Sequence, residues 1–130
     1  MKYPLDSIGH FRTARILSYT ADNRPGHRLG AVLHRGNRAL SFGINSLVKT
    51  HPIQYHVTGK IYLHAEIAAL IGRRHYDDLS SCSITVYREV KGLPALAKPC
   101  AQCQIILAAA GIKKVYYSVP DAPYWNIIKL

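Results

Sequence analysis

The sequence predicts an α/β protein in which helices pack on a mixed sheet of about five strands. Three observations carry that reading. Apolar segments of helical and strand period alternate in the order α, β, β, α, β, α, β, β. A chain of 130 residues with 48% hydrophobic content suffices for one domain, 1–130, that buries roughly two-thirds of its unfolded surface. Finally, only "PDAP" or so, residues 120–123, separates the last two strand-like runs. So short a link holds no crossover helix, and the two strands, if they pair, are antiparallel.

The first element is "LDSIGHFRTARILSYT", which sets Leu5, Ile8, Phe11 or Arg12, Arg15, Ile16 and Tyr19 at helical spacing. Asp6 or Ser7 offers a cap and "DNRPG" a stop. "HRLGAVLHRGNRALSFGIN" reads as a hairpin of strands near 28–34 and 38–44 around a turn at Arg35-Gly36-Asn37. Residues 45–63 carry Pro52, Gly59, His51, His56, Tyr55 and Tyr62 without sustained periodicity, the pattern of a long loop of the kind that carries either function or disorder. Residues 64–75 predict a helix whose end, Arg73, Arg74 and His75, suits the negative C-terminal dipole. "CSITVYR" is β-rich and predicts a central strand; "EVKGLPALAKP" reads as a loop. Cys100 to Ala110 predicts an apolar helix stopped by Gly111, before the strands "KKVYYSV" and "YWNIIKL".

Charge and composition narrow the partners. Seventeen Lys and Arg against seven Asp and Glu give a net charge of +10, and residues 1–60 hold nine basic and two acidic side chains. Such a field attracts phosphorylated small molecules or polyanions, or is simply a solvated basic surface. No run of about 18 apolar residues is present and the first residues lack the apolar core of a secretory signal, so a soluble, cytoplasmic protein without a membrane partner is expected. Three cysteines cannot all pair with one another. Cys82, inside "SCSITVY", reads as a small buried hydrophobe.

Two motifs carry chemistry. "HAEIAAL" sets His64 and Glu66 two positions apart at a helix start, and "PCAQC" sets Cys100 and Cys103 at i and i+3 after Pro99. The two cysteines lie on one helix face, where the positive N-terminal dipole favours thiolates. His64 and Glu66 diverge on a helix flank, but first-turn side chains can ring the mouth of a helix, so one binds while the other reaches across. One His and two Cys leave the fourth tetrahedral position for water, as catalytic zinc requires. A structural zinc needs a fourth protein ligand, for which His10, His27, His34, His51, His56 and His75 are candidates by composition, though none stands at paired ligand spacing.

His-Ala-Glu followed by Pro-Cys-x-x-Cys, with a hairpin ending in Gly43-Ile44-Asn45 about twenty residues before the histidine, resembles the zinc-dependent cytidine and deoxycytidylate deaminase superfamily. The resemblance spans about residues 5–118. It implies a three-layer fold with helices on both faces of the sheet, a zinc ion held by His64, Cys100 and Cys103, and Glu66 as proton shuttle. It further implies that Asn45 bonds a sugar hydroxyl or positions the nucleoside, and that the backbone of Ala65 faces the pyrimidine carbonyl.

The implied reaction is hydrolytic deamination of a cytosine nucleotide or nucleoside, 2′-deoxycytidylate first, in a chain that forms homo-oligomers. Arg24, Arg28, Lys49 and Lys60 are candidate phosphate contacts. Lys98 stands where many relatives have a small Ser or Thr. The short C-terminal link resembles the free-nucleoside branch, whereas His64 does not, so the branch markers are mixed. The alternative substrate is a base in single-stranded DNA or RNA, favoured by net charge, nine tyrosines and Trp125. A zinc module that binds without catalysis is the reading from another class, and the carboxyl of Glu66 argues against it.

Overall fold

The computed structural model describes residues 3–47, 63–72 and 79–130. Among the described residues three helices, α1 (Phe11–Ser18), α2 (Ala65–Ile71) and α3 (Ala101–Ala109), accompany six strands: β1 (Leu29–Arg35), β2 (Arg38–Ile44), β3 (Ser83–Val90), β4 (Leu93–Ala95), β5 (Lys114–Ser118) and β6 (Trp125–Lys129). The strand order is β2-β1-β3-β5-β6, with β4 paired to β3. β3 and β5 run parallel; the other pairs of these strands, β5 with β6 included, are antiparallel.

Strand period divides the core between the two faces. Ala31 and Leu33 of β1, Ile84 and Val86 of β3, and Val115 and Tyr117 of β5 pack with Ile67 and Leu70 of α2 and Ile106 and Leu107 of α3. The intervening Val32 and Tyr87 meet Leu5, Phe11 and Ala14 beneath α1. Each fully buried Val, Leu, Ile or Phe among them contributes roughly 1.5–3 kcal/mol, which holds a short helix on its face where propensity alone would not.

Two glycines set how closely the helices approach. A side chain at Gly30 of β1 would run into the Ala14 carbonyl and Ser18 nitrogen of α1; one at Gly43 of β2 would run into the Ala65 carbonyl and Ala69 nitrogen of α2. Gly43 thereby seats the start of α2.

Two expectations are corrected. The first helix begins at Phe11, not near residue 6, because Gly9 takes φ +48° and Asp6 is used elsewhere. Its carboxylate accepts two bonds from Arg15, at 2.9 and 2.8 Å, and caps nothing. The buried face is Phe11, Ala14, Arg15 and Ser18, leaving Ile16 and Tyr19 exposed. Second, the stretch read as a loop after the central strand is a hairpin. Lys91 and Gly92, at φ +52° and +78°, turn the chain so that Leu93 faces Val90 and Ala95 faces Arg88. The hairpin continues past Val86, where the pairing of β3 with β5 ends.

The expected 35–37 turn is present, with Gly36 at φ +58°, and a bulge at Leu40 shifts the register between Leu33 and His34. Most of the expected loop at 45–63, and the basic helix end at Arg73, Arg74 and His75, lie outside the described residues. Among the described residues no helix is long and apolar enough to cross a membrane.

Candidate metal centre and substrate cavity

His64 is the residue immediately before α2 and Cys100 the residue immediately before α3, both extended at ψ 148° and 163°. Two N-cap positions therefore face one another. The Cys100 sulfur accepts from the Cys103 backbone N–H at 3.5 Å, which orients the two sulfurs on the first turn of α3. Across the gap, Sγ of Cys103 lies 3.1 Å from Nδ1 of His64. The ligand atoms of His64, Cys100 and Cys103 all fall within 4.8 Å of one another.

Glu66, in the first turn of α2, is buried, and its Oε1 lies 3.7 Å from Nδ1 of His64. Burial first, and then the Glu66 carboxyl beside it, push the Cys103 thiol well above its ordinary value. Without a cation, burial therefore opposes the ionisation that the helix N-terminus favours at Cys103. A thiolate in that position needs a cation to offset desolvation, which zinc supplies. Two sulfurs and an imidazole nitrogen are also a donor set zinc prefers, so the residues present fit the ion.

The cluster opens into a cavity of about 510 Å³, within the range that takes a drug-sized ligand. Asn45, Ala65, Glu66, His64 and Cys100 line it, together with His27, Arg88 and Lys98. Asn45 is already engaged: Oδ1 accepts from the Leu29 backbone N–H at 2.8 Å and Nδ2 donates to the His27 carbonyl at 2.7 Å. It holds the approach to β1 against the end of β2, with one amide hydrogen and one lone pair left for a ligand.

The basic residues singled out from sequence fare differently. Arg28 Nε donates to the Asn23 carbonyl at 2.7 Å and Arg28 is not in the cavity wall, nor is Arg24. Lys49 and Lys60 lie outside the described residues. Arg88, which composition alone does not distinguish from other strand residues, is in the wall. Cys82 is fully buried, as expected.

The family described as the Cytidine and deoxycytidylate deaminase zinc-binding region matches residues 8–119. The chain belongs to that family. It is a zinc-binding deaminase domain whose His/Cys/Cys group is positioned to hold the ion. Among solved structures, this deaminase is similar in fold to the dCMP deaminase of cyanophage S-TIM5 in apo form. That similarity has 24% identity and a TM-score of 0.63, over 85% of this chain and 79% of that one. The same cyanophage enzyme in complex with dCMP and dUMP is similar at 23% identity and a TM-score of 0.62, over 89% and 82% of the two chains.

A diaminohydroxyphosphoribosylaminopyrimidine deaminase/5-amino-6-(5-phosphoribosylamino)uracil reductase from Thermotoga maritima shares the fold at 20% identity and a TM-score of 0.53, over 86% of this chain and 29% of that one. No curated protein sequence matches the chain.

Proposed function

We propose that this deaminase replaces the amino group of a cytosine nucleotide or nucleoside by oxygen, releasing ammonia, with 2′-deoxycytidylate as first choice. The observation that carries the reading is that one cavity is lined both by His64, Glu66 and Cys100 and by the cationic Arg88 and Lys98. The cyanophage enzyme, similar in fold and named for dCMP, supports it.

In this reading His64, Cys100 and Cys103 would hold the zinc, which when bound would supply a water whose pKa is lowered toward about 7. Glu66 carries the protons. Its buried carboxyl takes one proton from the attacking water and gives it to N3 of the pyrimidine as C4–O forms, then takes the second from the C4 hydroxyl and gives it to the amino group, which leaves as ammonia when C4–N breaks. Ala65 presents its backbone to the pyrimidine carbonyl, and Asn45 uses its remaining amide capacity on a sugar hydroxyl. The three cysteines, none disulfide-bonded, suit a reducing, cytoplasmic setting. Homo-oligomeric assembly belongs to the same proposal, for which Leu93 and Ile105, each 61% exposed, supply apolar surface.

A base within single-stranded DNA or RNA remains the second reading, on the strength of net charge +10. Tyr116 and Tyr117 read from the sequence as strand-core residues rather than stacking platforms, and their packing agrees. Tyr117 is buried in the core, and Tyr116 and Trp125 pack with one another on the α1 face, their ring centroids 6.0 Å apart.

The test is one panel of cytidine, deoxycytidine, their monophosphates, and single-stranded DNA and RNA, scored by mass for replacement of NH by O. Conversion of monomers with inert oligonucleotides is expected. The opposite pattern replaces this reading with the second one.

A further inference from the structure

We propose that Arg88 and Lys98 form a clamp for a terminal phosphate monoester, so that the cavity selects a nucleoside monophosphate over the nucleoside. The inference rests on reading the cavity as the deaminase pocket and names the charge of what fills it.

Arg88 is placed by strand period. Tyr87 and Glu89 point to the α1 face, where the Glu89 carboxylate accepts from Tyr87 at 2.8 Å and from Tyr19 at 3.0 and 3.1 Å. Arg88 takes the opposite face, beside its cross-strand neighbours Leu29 and Ala95. The acid next to it in sequence is thereby held away from the cavity. Among the described residues no carboxylate pairs with Arg88, whereas the ion pair Arg15–Asp6 shows what a neutralised arginine looks like in this chain.

The guanidinium is also fixed in orientation. Nε donates to the Gly26 carbonyl at 2.7 Å and Nη1 to the Leu96 carbonyl at 3.2 Å, which ties the segment before β1 to the segment after β4. Nη2 has no acceptor among the described residues. An arginine whose stem is used by two carbonyls keeps a donor edge without the entropy cost of a swinging side chain. Lys98, exposed at the mouth of the same cavity, brings a second cation.

Charge complementarity then favours one ligand class. Glu66, His64 and Cys100 belong to the reacting end, and the unneutralised cations in the same wall match an anionic group. A phosphate monoester carries about −1.5 to −2 at neutral pH, against about one negative charge for each phosphodiester of a strand. Two cations answer one monoester. The β3–β4 hairpin contributes Arg88 from its first strand, and its return brings Leu96 under the guanidinium. It is therefore the element that reads the phosphate.

The experiment compares Lys98→Ala, Arg88→Gln and the unaltered protein. Steady-state kinetics are measured on 2′-deoxycytidylate and deoxycytidine, and calorimetry on 2′-deoxyuridylate, deoxyuridine and inorganic phosphate. Thermal melting reports on the fold, and Lys98→Ala, being an exposed change, keeps the test open if loss of the Arg88 bonds unfolds the hairpin. The preference in kcat/KM for the monophosphate over the nucleoside should fall roughly tenfold or more in each folded variant, the size expected for one charge-assisted contact. Affinity for 2′-deoxyuridylate should fall in parallel. An unchanged monophosphate preference, or equal losses on nucleotide and nucleoside, overturns the clamp. Failure of the deaminase reading looks different: the unaltered protein turns over neither compound. The clamp then stands or falls on whether phosphate and 2′-deoxyuridylate bind and lose affinity in Lys98→Ala.

Discussion

Sγ of Cys103 and Nδ1 of His64 lie 3.1 Å apart, although 39 residues separate them in the chain. Each sits at the mouth of a different helix, so the contact depends on both helices abutting the same face of the sheet. One tightly held zinc per chain is expected, lost in Cys103→Ser, Cys100→Ser and His64→Ala. Cys82→Ser should keep it, because Cys82 lies in the core and outside the ligand group. Metal analysis by mass spectrometry checks this, and full zinc in the Cys100→Ser protein rejects the ligand assignment.

Gly43 makes the centre sensitive to a methyl group that never touches it. Gly43→Ala drives a Cβ into the Ala65 carbonyl and the Ala69 nitrogen, and α2 must move with His64 and Glu66 on it. A loss of about 2 kcal/mol or more is expected, with reduced zinc content. Gly36→Ala is the contrast, since φ is +58° there but nothing lies within 4 Å. It should cost about 1 kcal/mol and leave the zinc content intact. Equal effects of the two changes on zinc content would remove Gly43 from the account.

Asn45→Ala should weaken both stability and substrate binding. It deletes a part-buried bond to the Leu29 nitrogen and an exposed one to the His27 carbonyl, leaving the Leu29 N–H unsatisfied at a cost of about 1–3 kcal/mol. Asn45→Asp retains an acceptor for Leu29 and should recover part of the stability. Melting curves that do not distinguish Ala from Asp would mean the side chain does not hold the approach to β1.

His34 gives the fold a pH dependence of its own. Burial pushes it from 6.5 down to about 4, and the His10 ring, with centroid 4.1 Å away, acts in the same direction. Its Nε2 lies 2.8 Å from Thr85 Oγ1. The folded state therefore holds the neutral form. The stability this contributes is present above pH 6.5 and drains as pH falls through about 4, amounting to about 3 kcal/mol once fully lost. Urea denaturation of the parent and of His34→Gln at pH 7.5 and 4.5 reads the difference. Identical losses in the two proteins would show that His34 does not titrate as argued.

What the sequence conveys about this fold follows from how local each signal is. The 35–37 turn, the helices after His64 and Cys100 and the antiparallel final pair are set by turn chemistry, apolar period and link length, all readable over a few residues. The β4 strand is not. Its three residues include Pro94, and the pairing with β3 comes from the Lys91-Gly92 turn. Asp6 resembles a cap until the Arg15 guanidinium is seen to claim it. Arg88 is recognisable as a cavity residue only once the faces of β3 are known, because period two says that Arg88 and Glu89 diverge without saying which of them meets the site.

The central claim is that the carboxyl of Glu66 moves protons and does not hold the metal. Its most direct test measures zinc per chain and 2′-deoxycytidylate turnover together in Glu66→Ala. Zinc retained at the parent level, a folded protein, and turnover reduced by roughly 10²–10⁴-fold or more are predicted. Loss of zinc along with activity, or turnover close to that of the parent, would contradict the account.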